Sequence, residues 1–120
     1  VRRQTLIRID DLGRAIRSNV LVAQDDLARS AERARLLRDA AALYGTAVQD
    51  EAQKLQLGLS TIIDLVLIED RLTRSLLDEI SAHFSYAAAL TRLRYETGTG
   101  ATGAAPSFGV TTETLTTVPR

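Results

Sequence analysis

The sequence predicts an all-α fold, a long antiparallel coiled-coil hairpin of two helices followed by a flexible tail. Apolar residues recur at steps of three and four from about Gln4 to Leu57 and again from Thr61 to about Glu96. No proline occurs before Pro106, so nothing forces a break inside either stretch. The 120 residues include three tyrosines, two phenylalanines and no tryptophan, too little aromatic bulk for an ordinary globular core, and the chain is rich instead in Ala, Leu and Arg, as long helices are.

The first helix is predicted over about residues 4–57. Its seam is Ile9, Ile16, Val20, Ala23, Leu27, Ala34, Leu37, Ala41, Tyr44, Val48 and Leu55, with Gly13, Ser30 and Glu51 at the intervening positions. The turn falls at residues 58–60. Gly58 follows the last periodic residue, where a helix commonly ends on a left-handed residue that glycine adopts without steric cost. Ser60 or Thr61 then caps the next helix, and Thr61-Ile62-Ile63-Asp64 has the spacing of a capping box.

The second helix, about residues 61–96, carries two apolar stripes. One is Ile63, Val66, Leu77, Ile80, Phe84 and Ala87; the other is Ile62, Leu65, Leu72, Leu76, Leu90 and Leu93. So wide a face requires more than one neighbour, and the longer first helix needs partners for its N-terminal part. From Thr97 to Arg120 the sequence turns to Thr and Gly with two prolines and reads as a flexible tail.

Several function classes lose support at once. Without cysteine there is no disulfide, zinc-thiolate site or thiol nucleophile. Fifteen basic and fifteen acidic residues leave no net electrostatic footprint for a nucleic acid. No apolar run approaches the roughly 18 residues of a membrane-spanning helix. The serines and threonines show no accompanying base and orienting acid, so the expectation is a protein without catalytic residues, metal or cofactor. Methionine is absent and the chain begins Val1-Arg2-Arg3, which implies a fragment or a processed product.

The run KLQLGLSTIIDLVLIEDRL, followed at helical distance by YAAALTRLRYETGT, resembles the C-terminal periplasmic hairpin of the outer membrane efflux protein family, the TolC-like channels. In that family one helix descends to a G-x-x-T-hydrophobic-hydrophobic-D-hydrophobic pattern, and a second climbs to an A-L-x-x-L-x-x-x-x-G pattern. Here Gly58, Thr61, Ile62, Ile63, Asp64 and Leu65 match the first, and Ala89, Leu90, Leu93 and Gly98 the second. The likeness covers roughly residues 5–100. It implies a segment of a homotrimeric α-helical tunnel in the periplasm of a Gram-negative bacterium, anchored in the outer membrane by strands that would precede Val1.

The resemblance also implies a passive export conduit whose tip, Gly58, Leu59, Ser60 and Thr61, meets a periplasmic adaptor and an inner-membrane pump. Asp64 becomes a candidate for the lumen aperture, with Glu69 and Asp70 close by. Where some members carry a second aspartate, this sequence has Leu67, which argues against a double acidic ring. Residues 44–70 still hold Asp50, Glu51, Asp64, Glu69 and Asp70 against Lys54 alone.

Plainer readings stand beside these. Asp64 serves equally as a capping partner, and one carboxylate can do both. His83, with no second histidine or cysteine, reads as a packed or interfacial side chain rather than a ligand. Tyr44 and Tyr86 read as packed side chains with hydroxyls at a wet edge. The Arg33, Arg35 pair and the Arg92, Arg94 pair read as solvated helix faces or i,i+4 ion pairs. The alternative function is a soluble coiled-coil interaction module, such as the hairpin arm of a periplasmic adaptor.

Overall fold

The computed structural model describes residues 2–101, 109, 110, 112 and 116–118. It is a helical hairpin: α1 runs Arg2–Gln56 and α2 runs Ile62–Thr97, each within two residues of the sequence-based limits. Of the segment expected to be a flexible tail, residues 102–108, 111, 113–115, 119 and 120 lie outside the described residues. Acid-before-base pairs support the helices locally, with Asp11–Arg14 at 2.8 Å, Asp25–Arg29 at 2.7 Å and Asp70–Arg74 at 2.7 Å. Each is exposed and contributes only a few tenths of a kcal/mol.

The chain divides into two units, residues 30–85 around the turn and residues 1–29 with 86–120 at the base. In the base unit Ala23 and Leu27 of α1 pack with Leu90 and Leu93 of α2, and Val20, Tyr86 and Ala89 flank them. Asp26 and Arg92 add a cross-helix ion pair at 3.4 Å. Arg92, expected to be solvated or paired along its own helix, bridges the helices instead. Residues Arg3 to Asn19 are exposed throughout. The seam therefore closes from Val20, and Ile9 and Ile16, assigned to it from the sequence, are left without a facing segment among the described residues.

In the turn unit the buried side chains are small: Ala34 and Ala41 on α1, Ser75 and Ala82 on α2. A polar layer accompanies them. Arg38 on α1 reaches Glu79 at 3.8 Å and His83 Nε2 at 3.5 Å, and His83 stands 3.5 Å from Glu79. His83 is thus an interfacial side chain between helices, as its sequence context suggests.

The seam of α2 differs from either expected stripe. Its buried or half-buried positions include Leu65, Ile68, Leu72, Ser75, Glu79, Ala82, Tyr86, Ala89 and Leu93, an unbroken alternation of three and four, joined at the base by Leu90, Arg94 and Glu96. The stripe of Ile63, Val66, Leu77, Ile80, Phe84 and Ala87 is exposed along its whole course. The other expected stripe is split, with Leu90 and Leu93 buried, Leu65 and Leu72 half-buried, and Ile62 and Leu76 exposed.

At its far end α2 stops on Gly98, whose φ of 68° lies in the left-handed region. The Gly98 amide donates to the Tyr95 carbonyl at 3.1 Å and the Thr99 amide to the Arg94 carbonyl at 2.9 Å, the paired bonds of a Schellman motif. Arg94, expected on a solvated face, is only 5% exposed. Its guanidinium donates to the Thr99 carbonyl and to Thr117. The acceptors that allow this burial come from chain beyond the helix, which helical periodicity does not register.

Candidate functional site at the turn

The turn is assembled from two capping devices set back to back. Gly58 takes φ 69°, its amide donates to the Leu55 carbonyl at 3.1 Å, and the Leu59 amide donates to the Lys54 carbonyl at 2.9 Å. This second Schellman motif satisfies carbonyls that α1 would otherwise leave bare. Thr61 then opens α2. The Asp64 amide donates to Thr61 Oγ1 at 3.2 Å, and Asp64 Oδ2 accepts from the Thr61 amide at 3.2 Å and from the Thr61 hydroxyl at 2.6 Å. Of the two candidate caps, Thr61 holds the position, and Asp64 answers it reciprocally.

Ser60 has a different partner. Its hydroxyl donates to Glu51 Oε1, a bond that crosses the turn back to α1. Lys54 Nζ lies 3.0 Å from the other oxygen of the same carboxylate. The hydrogen bond from Ser60, followed by that from Lys54, holds the Glu51 carboxyl below its ordinary range. Asp64 is held below its range too, first by the Thr61 hydroxyl and then by the Thr61 amide. Both groups are ionised at neutral pH.

Beside the turn lies an open groove lined by Ala47, Asp50, Glu51, Lys54, Asp64, Leu67, Ile68 and Arg71. It brings Asp64 together with Asp50 and Glu51 of the facing helix. Glu69 and Asp70, grouped with Asp64 from sequence proximity, are exposed and do not line the groove; Asp70 pairs with Arg74 instead. From the sequence Glu51 is a seam position and one of the acids near the tip, and its tie to Ser60 does not show because the two stand nine residues apart across a reversal of the chain. A carboxylate at an otherwise apolar seam position, just before a Gly-x-Ser turn, is the signal that points to it.

The tip offers apolar contact as well as charge. Leu57, Leu59, Ile62 and Ile63 are all largely exposed around Gly58. Exposed leucines and isoleucines gathered on a fixed turn, with carboxylates beside them, suit a protein partner better than a small molecule. Among the described residues no three His, Cys, Asp or Glu side chains converge to hold a metal ion. Set against protein-family models, curated proteins and solved structures, the chain matches none, so its own residues and their geometry carry the functional reading.

Proposed function

We propose that this chain is the periplasmic helical segment of an outer membrane efflux channel. It is a passive export conduit that assembles as a homotrimer and meets a periplasmic adaptor and an inner-membrane pump through Gly58, Leu59, Ser60 and Thr61. The observation that carries the proposal is the exposed stripe of Ile63, Val66, Leu77, Ile80 and Phe84 on α2. Around the turn the hairpin closes its seam with Ala34, Ala41, Ser75 and Ala82 while Leu77, Ile80 and Phe84 face outward, which is the arrangement expected of a helix pair that is one stave of a larger wall. The tip supports it further, since Gly58, Thr61 and Asp64 of the family's turn pattern each have a conformational task here.

On this reading Asp64 serves twice, as the reciprocal cap of α2 and as a carboxylate offered to the tunnel axis. No helix among the described residues is long and apolar enough to cross a membrane, and the reading assigns that crossing to the β-strands of the family, outside this segment. The test is to fractionate cells expressing the full-length protein, cross-link the membrane fraction and record single channels from the purified material. A trimer that conducts supports the conduit. A periplasmic protein that neither trimerises nor conducts points to the adaptor-arm alternative.

A further inference from the structure

The last turn of α2 holds a cation that the conduit reading does not use. Arg94 is 5% exposed. Its Nη1 donates to the Thr99 carbonyl at 3.2 Å, and its Nη2 donates to the Thr117 carbonyl and, at 2.9 Å, to the Thr117 hydroxyl. Among the described residues no carboxylate lies at ion-pair distance from it. Its Nε is buried with no acceptor among the described residues.

A guanidinium taken out of water is unfavourable unless hydrogen bonds replace its hydration. Here the replacement comes from two places. The C-terminal end of a helix carries partial negative charge that favours a cation, and Thr99 and Thr117 supply oxygens. The fork of the guanidinium, with two nitrogens aimed at acceptors from separate stretches of chain, is what a lysine ammonium cannot reproduce.

We infer that Arg94 is a staple: it fastens the chain at Thr117, 23 residues further on, to the closing turn of α2, so that the two open and close together. The staple protects a helix end, where fraying otherwise begins. It stands apart from the conduit reading, since it requires no second chain and no partner.

Residue-resolved hydrogen exchange on the full chain tests the staple. In Arg94→Lys, which keeps the charge and loses the fork, the amides of Gly98 and Thr99, which donate to the Tyr95 and Arg94 carbonyls, exchange at least about tenfold faster than in the parent. Amides between Ala34 and Ala41 keep their rates. Thr117→Ala retains the carbonyl acceptor and gives a smaller increase. Should the Arg94 variant unfold, a chain ending after Gly100 leaves Arg94 in place and still speeds exchange at Gly98 and Thr99. Unchanged rates at Gly98 and Thr99 in Arg94→Lys, or in the shortened chain, overturn the staple.

Discussion

Ala82 and Phe84 stand two residues apart on α2 and face opposite ways: the alanine is 2% exposed and the phenylalanine 78%. The hairpin has put its small side chain inside and its aromatic outside. A chain that folded only for its own benefit would do the reverse, because burying a phenylalanine stabilises by about 1.5–3 kcal/mol more than leaving it in water.

Association follows from that inversion. Phe84→Ser and Ile80→Ser should reduce self-association in sedimentation velocity while leaving helicity by circular dichroism nearly unchanged. Leu90→Ala, at a fully buried site, should instead cost about 2–5 kcal/mol in urea unfolding. A parent chain that is strictly monomeric at all concentrations would remove the case for the outward stripe.

Gly58 makes a sharp prediction because its cost is separable. An added Cβ meets nothing within 4 Å, so any loss comes from the backbone at φ 69°. Gly58→Val should destabilise by about 1 kcal/mol or more, whereas Gly58→Asn, a residue that visits this region readily, should cost less. If the proposed conduit holds, Gly58→Val in the full-length protein should impair export with trimer assembly intact, measured by transport assay and cross-linking. Equal stability of the Val and Asn variants would mean that the turn does not depend on the left-handed conformation.

Thr61 and Asp64 separate capping from conduction. Thr61→Val removes the hydroxyl and should cost about 0.5–2 kcal/mol of stability. Asp64→Asn keeps the shape and much of the hydrogen bonding but removes the charge. Single-channel recordings of the full-length protein should then show weaker cation preference and weaker block by multivalent cations. If Asp64→Asn lowers the melting temperature and leaves selectivity and block as they were, the carboxylate is a cap alone.

Acid should loosen the turn, and the sign follows from which form the fold prefers. Ser60 and Lys54 favour ionised Glu51, and Thr61 favours ionised Asp64, so both carboxyls titrate lower in the fold than in the unfolded chain. Their contribution is fully present above the ordinary carboxylate values of about 4 and is lost as pH falls through the depressed ones. Urea unfolding between pH 6 and 2.5 should show a shallower pH dependence for the Glu51→Gln, Asp64→Asn double variant than for the parent. Identical slopes would show that these bonds do not persist in solution.

The turn was legible in the sequence because everything that builds it is local. Gly58, Thr61 and Asp64 lie within seven residues and act through the backbone of their neighbours. The α1 seam was legible from Val20 onward for the same reason, being a plain periodicity, except at Tyr44, which was expected to pack and is exposed. The α2 seam was not, because its inward positions include Ser75, Glu79 and Ala82 while Leu77, Ile80 and Phe84 face outward. Hydrophobicity marks what can be buried, and nothing among the described residues covers that stripe. Arg94 was misread as a surface residue because its acceptor at Thr117 belongs to a stretch whose composition carries no periodic signal.

The layer of Arg38, Glu79 and His83 gives the hairpin a fixed stagger. Sliding α2 by one heptad would bring Leu72 or Tyr86 to the height of Arg38 and strand Glu79 between apolar side chains. An insertion or deletion that keeps this layer therefore comes in matched sevens, one heptad on each arm placed on the same side of it. An unmatched insertion would have to be absorbed as a bulge or at the turn, where Gly58 and Thr61 leave no slack.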